Sequence, residues 1–315
     1  MPPLSALDVW AAPEFVLWWL VSSAAMLLVA WLDVHLARPQ SAWQHTAQRL
    51  DERISPFVAP AMRWCMAVFF VTAAYYFHAH QVYLTPELRT NDAWVPVVQV
   101  LSAVAFVRRS SAWLGSLGIV CLYAGAISTY GWFHLLDYPV FLGVAAYLLL
   151  DSIYQGKHHD LALGILRGSA GFTLMWAGAE KWLFPWWSYA MVDNQLSALL
   201  MGLSHYAFMN AAGFIEFGAA FALTFGRAVP QLAALFLLVP FVAAVPVFGS
   251  LDLVGHAPII AVLLALTLTR TRLPSVAAHR PRIQRIMGYG CAMALGSWSL
   301  VGLYWGLHAI AYGWH

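Results

Sequence analysis

Charge is what this chain has least of: Lys, Arg, Asp and Glu make up 10% of its 315 residues, against 62% apolar. A polypeptide so poor in charge cannot cover its exterior with polar groups in water, so lipid is its expected solvent. Autonomous soluble domains are excluded by a second shortage, since no polar stretch between apolar runs exceeds about twenty residues. Cysteine is scarce as well. Cys65, Cys121 and Cys291 lie in separate apolar runs without a CxxC, which speaks against a disulfide framework, a thiol redox centre or a structural zinc site. There is no Walker-type loop, GxSxG, HExxH or dinucleotide fingerprint, which argues against a self-contained enzyme for soluble substrates. No basic patch with interleaved aromatics occurs outside the loops that flank apolar runs, so the net charge of +2 is no nucleic-acid footprint and no nucleic-acid partner is expected.

What is present is a succession of apolar runs. A spanning helix needs roughly 20 mostly apolar residues, and ten segments qualify, near 14–36, 57–78, 93–108, 112–130, 137–153, 162–184, 207–226, 229–248, 255–270 and 286–311. The expected fold is an all-α polytopic bundle. Asp8 and Glu14 stand where a signal peptide would carry basic residues, so the first run is expected to remain in the mature protein. Fourteen of the sixteen Lys and Arg residues fall at one set of loop ends, leaving Arg89 and Lys181 on the other. By the positive-inside bias both termini are expected on the outer face of a bacterial inner membrane, with an even number of spans between them. Trp and Tyr gather at segment ends, as in Trp18, Trp19, Trp186, Trp187, Tyr189 and Tyr312, the placement of an interfacial belt.

The runs also repeat. Arg63 opens the second as Ala-Met-Arg-Trp and Arg167 opens the sixth as Ile-Leu-Arg-Gly, each followed by three more, the last beginning Asp-Tyr-Pro-Val-Phe or His-Ala-Pro-Ile-Ile. This predicts a first helix and loop over 1–56, two four-helix units over 57–156 and 157–274, and a basic loop with a final helix over 275–315. Units with an even number of spans run parallel, unlike the inverted repeats common in transporters.

The second unit holds the residues with most chemical content. Gly164, Gly168, Gly171 and Gly178 form a small-residue stripe that permits close helix packing. Glu180 and Lys181 follow near the outer interface. Glu216 falls about nine residues into the next span, about 13 Å deep. An acid there costs a few kcal/mol to insert on translocon scales, about 3 at a helix centre, so it must face the bundle, be protonated or find a partner. Lys181 is the nearest cation, and the two readings are a functional site and a purely structural buried pair. Arg63 and Arg167 are either snorkelling topogenic arginines or groups that neutralise carbonyls or bind lipid phosphate. Asp33 and His35 read as interface residues. His78, His80, His134, His205, His256 and His308 share the outer side, and His78, His80, His256 and His308 are the alternative ligands for a metal or haem. His78 and His80 are two apart, not the three or four that align side chains on one helical face, so interfacial or proton-relay roles compete.

The stretch Ile165 to Arg227 resembles the DoxX family of small four-helix membrane proteins: Arg167 opens its first helix, Gly171 follows one turn later, Gly178 precedes Lys181, and Glu216 precedes a glycine and the Gly226-Arg227 turn. The first unit departs from the pattern, keeping Arg63 but lacking a glutamate in the third run. The resemblance implies a membrane subunit of a quinone-linked oxidoreductase system. Glu216 would handle protons, Lys181, Glu180, Arg167 and His256 would stand on the substrate side, and Trp176, Trp182 and Phe214 would wall a flat ring. Quinone is the implied cofactor, with haem as the alternative, and a membrane or periplasmic redox protein is the implied partner beside the bilayer. A non-catalytic assembly or scaffold factor and a proton-coupled small-solute transporter are the competing functions.

Overall fold

The protein, as a computed structural model, is described over residues 2–76, 78, 81–271 and 281–313. Within them it is all-α apart from one short hairpin. The helices are α1 (Ala6–Ala11), α2 (Pro13–Leu36), α3 (Ala42–Tyr76), α4 (Trp94–Phe106), α5 (Ala112–Tyr130), α6 (Pro139–Tyr154), α7 (His159–Leu183), α8 (Tyr189–Gln195), α9 (His205–Phe225), α10 (Pro230–Phe248), α11 (Ser250–Leu268) and α12 (Arg282–Tyr312). Six of them, α2, α3, α5 with the short turn before it, α9, α10 and α12, are long and apolar enough to cross a membrane. Their exposed faces carry Leu17, Leu20, Leu28, Trp64, Val68, Val71, Leu117, Val239 and Leu303, side chains that lipid tolerates and water does not.

Local chemistry sets the helix boundaries. Proline stands at the first position of α2, α6 and α10, where its missing N–H costs nothing. Ser204 caps α9, its Oγ accepting the Ala207 N–H at 3.2 Å. The α6–α7 turn passes through Gln155 and Gly156 with φ of 51° and 83°, the left-handed region where helices commonly end.

The boundary at α3 differs from expectation. Instead of starting near residue 57, the helix begins at Ala42 and runs unbroken through Pro56 and Pro60. Its first turns are too polar for hydropathy to detect, yet Ala47 and Asp51 face inward at a spacing of four, the helical repeat. Asp51 is 5% exposed, and its carboxylate accepts the Arg270 N–H at 3.0 Å just past the end of α11. That bond, together with Gln44 against the Arg270 guanidinium, holds the polar extension in place.

Contacts divide the chain into two compact units interleaved in sequence. The first contains α1, α2, the last ten residues of α7 from Leu174, α8, α9 and α12. Its core is aromatic: Phe15, Trp176, Trp182, Phe214, Phe217 and Tyr304 are each at most 2% exposed. The second contains α3 to α6, the first part of α7, α10 and α11, and buries Met66, Phe70, Phe106, Ile119, Leu122, Tyr147 and Leu148. There the α3–α4 connection forms an antiparallel hairpin, Gln81–Val82 (β1) with Arg89–Thr90 (β2). Buried Gln99 on α4 pins it by donating to the Val82 carbonyl at 2.7 Å.

Candidate functional site

In the first unit α7 and α9 run antiparallel and touch backbone to backbone at two glycines. A Cβ on Gly178 would lie 3.0 Å from the Gly213 carbonyl, and one on Gly213 would lie 2.8 Å from the Gly178 carbonyl and 2.4 Å from Trp182 Nε1. Of the predicted glycine stripe, Gly178 therefore makes the close approach, whereas Gly168 faces open space.

Lys181 and Glu216 lie one turn beyond this crossing on their respective helices, in opposite directions. Helical side chains lean toward their own N-terminus, so on antiparallel helices these two lean toward each other. Lys181 Nζ reaches back along α7 to the Ala177 carbonyl at 3.3 Å and donates to Glu216 Oε2 at 2.5 Å. Glu216 is eleven residues past His205, about 16 Å along the axis and at the middle of α9. The pair remains partly open, with side-chain exposures of 29% and 19%. Beside it Glu180 Oε1 accepts a hydrogen bond from the Tyr304 hydroxyl at 3.0 Å, and the Tyr304 ring lies 4.5 Å from that of Trp176.

The expected aromatic walls have a different arrangement. Trp182 packs on Phe214 with centroids 4.5 Å apart, and Phe15 closes on both at 5.5 and 4.9 Å. Trp182 Nε1 donates to the Asn210 carbonyl at 3.3 Å. These rings are committed to one another, so the accessible side of the site is the ion pair itself.

No family model, curated protein or solved structure matches this chain.

The remaining candidates lie elsewhere. Arg167 is on the part of α7 that belongs to the second unit, fourteen residues and about 21 Å before Lys181 along the helix. His256, also in the second unit, has its ring 5.2 Å from Phe241. His308 in the first unit lies 5.8 Å from Phe184 and 4.9 Å from Tyr312. His78 meets the Tyr75 carbonyl at 2.9 Å, and His80 falls outside the described residues. Among the described residues no three or more His, Cys, Asp or Glu side chains converge as a metal site would require.

Three polar residues that the sequence did not mark as part of a site matter here. Tyr304 is the donor to Glu180. Asn210 is fully buried, its Nδ2 donates to the Tyr206 carbonyl at 2.9 Å, and its Oδ1 has no hydrogen-bond partner among the described residues. Asp33, read as an interface residue, is 5% exposed and accepts three successive N–H groups on Oδ1, from Arg227 at 2.8 Å, Ala228 at 2.7 Å and Val229 at 3.0 Å. A carboxylate behind consecutive backbone amides is an anchor for the connection that follows α9.

Proposed function

We propose that the chain is a DoxX-like integral membrane protein that serves as the membrane subunit of a quinone-linked oxidoreductase system, with Lys181 and Glu216 as its proton-handling pair. The observation that carries this reading is the 2.5 Å contact between them at the middle of an otherwise apolar helix. An ionisable pair at such depth costs several kcal/mol of desolvation, roughly 3 to 5 once one partner is missing, and is retained in membrane proteins chiefly where protons or charged groups move. The pair is partly open while the aromatic core behind it is closed. A quinone ring would therefore approach the ion pair from its exposed edge, not between Trp182 and Phe214.

In this reading a redox partner supplies two electrons and the quinone takes two protons to become the quinol. Glu216 passes protons, Lys181 keeps its charge compensated, and Glu180, held by Tyr304, provides a second carboxylate on the neighbouring residue of α7. The accompanying topology is ten spans, built as two parallel four-helix repeats with a helix at each end and both termini on the outer face. Basic residues gathered at alternate loop ends support it.

The test is Glu216→Gln. Turnover of a short-chain ubiquinone by the complex isolated from membranes is expected to disappear while the protein still unfolds in one cooperative transition, lowered by no more than about 1 kcal/mol, and the co-purifying proteins are retained. Retained turnover with loss of a co-purifying protein would replace this reading with that of an assembly factor. Proton-coupled uptake by proteoliposomes would replace it with a transporter.

A further inference from the structure

We propose that the second unit contains a binding site for a phosphoryl group, built around Arg63 and Arg109 and independent of the Lys181–Glu216 pair. A cavity of about 530 Å³ opens where α3, the short turn before α5, the end of α6 and the start of α7 meet. Two guanidinium groups share one carboxylate at its wall. Arg109 holds Asp151 in a fork, Nη2 to Oδ1 at 2.6 Å and Nε to Oδ2 at 3.1 Å, and also donates from Nε to the Asp151 carbonyl at 3.2 Å. Among the described residues Arg63 has only a 3.3 Å contact from Nη1 to Asp151 Oδ2, and its Nε has no hydrogen-bond partner although its side chain is 11% exposed. With Asp151 already claimed by Arg109, one positive charge and most of the Arg63 donors are left over beside an open cavity. A buried guanidinium in that condition calls for an anion with several acceptor oxygens.

The remaining wall suits the same chemistry. Ser55 Oγ and His159 Nε2 lie 2.7 Å apart, a hydroxyl and an imidazole beyond Arg63 toward the polar start of α3. Glu52 also lines the cavity, but it is eleven residues from Arg63, about 16 Å along α3. Its carboxylate accepts a hydrogen bond from Gln48 Nε2 at 2.8 Å, on the side of α3 away from the arginines in sequence. Arg108 and Lys157 are exposed on the adjoining connections. The net single positive charge of the Arg63–Arg109–Asp151 cluster matches a phosphodiester monoanion better than a doubly charged inorganic phosphate. Pro56, Ala59 and Pro60 give the cavity an apolar side. Both features favour a phospholipid headgroup as the source of the phosphoryl group.

The experiment compares the detergent-purified full chain with Arg63→Gln and Arg63→Lys by native mass spectrometry and thermal shift. The probes are a short-chain phosphatidylglycerol, the matching diacylglycerol and inorganic phosphate. Wild type is expected to retain and be stabilised by phosphatidylglycerol, with binding at least tenfold weaker in Arg63→Gln and an intermediate value in Arg63→Lys. Because Arg109 still pairs Asp151, both variants are expected to fold. If neither does, the wild-type comparison of the three probes decides. Stabilisation by inorganic phosphate as strong as by phosphatidylglycerol supports the phosphoryl site and makes its source soluble. Diacylglycerol bound as tightly as phosphatidylglycerol, or Arg63→Gln binding like wild type, overturns the proposal.

Discussion

Removing either half of the Lys181–Glu216 pair should not cost the same, and the geometry says which removal is worse. In Glu216→Gln the ammonium keeps the Ala177 carbonyl at 3.3 Å and sits two residues from the end of α7, where a long side chain can extend to the interface. A loss of about 1 kcal/mol is expected, the scale of one net hydrogen bond. In Lys181→Met the carboxylate is left at the middle of α9 without the ammonium that donates to its Oε2. Removing one partner of a buried pair costs about 3 to 5 kcal/mol. The exposures of 19% and 29% move this case to the lower end, about 3 kcal/mol. The double variant leaves no uncompensated charge, so it should cost about 2 kcal/mol, giving a coupling of about 2 within the range of contacting residues. Thermal unfolding of the four proteins in one detergent at pH 7 measures the order. Wild type should be highest, then Glu216→Gln, then the double variant, with Lys181→Met lowest. Equal losses for the two single variants, or a double variant equal to their sum, would refute the reasoning.

Other expectations follow from single contacts. Asp33→Ala leaves three backbone N–H groups without their acceptor and should lower stability by about 2 to 4 kcal/mol, with Asp33→Asn near half of that because an amide oxygen still accepts; an unchanged thermal transition for the alanine variant would contradict it. Gly213→Ala should cost about 1 to 3 kcal/mol by forcing α7 and α9 apart. Gly168→Ala, with nothing within 4 Å of its Cβ, should be neutral or gain up to about 1 kcal/mol of helix propensity; similar losses in both would show that the glycine crossing is not tight. Between α5 and α6, burial holds the His134 imidazole below its ordinary value, with Glu87 pulling the other way. The unfolded histidine takes its proton near pH 6.5 and the folded one at a lower pH. Stability is therefore whole above about 6.5 and falls as the pH drops through the interval down to the folded value. His134→Asn should flatten that acid limb when the transition is followed between about pH 5 and 8, and an identical limb in both proteins would sink the assignment.

Helix positions were legible because hydropathy and proline placement act locally. Each of the ten apolar segments coincides with one of the ten longest helices among the described residues. The exception, α3, extends fifteen residues earlier because its polar turns are held by partners far along the chain, as in the bond from Asp51 to the Arg270 N–H. Interleaving of the two units was not legible for the same reason: α2 and α12 pack together although the rest of the chain separates them. A tandem pattern in sequence describes how the helices follow one another, whereas the units are set by which apolar faces meet.

The cost of each polar group in an apolar chain can be read from sequence, but its partner cannot. Glu216 was conspicuous because a mid-span acid is expensive, and Lys181 could be matched to it because the neighbouring helices are joined in order. Tyr304 could not be found that way, since it is 124 residues from Glu180 and reads as one more interfacial aromatic. Asp33 and Asp151 were passed over for a related reason. Both lie near helix ends, where a carboxylate in sequence looks solvated, yet they are 5% and 8% exposed. Each is compensated by groups that composition cannot rank: three backbone amides for Asp33, two competing guanidinium groups for Asp151. The two cases differ in what is left over. The Asp33 anchor consumes its donors, so a structural role accounts for it. At Asp151 the donors outnumber the acceptors and the excess faces a cavity, which is why the arginines that serve as topological markers in the sequence become, in the fold, the better place to look for a ligand.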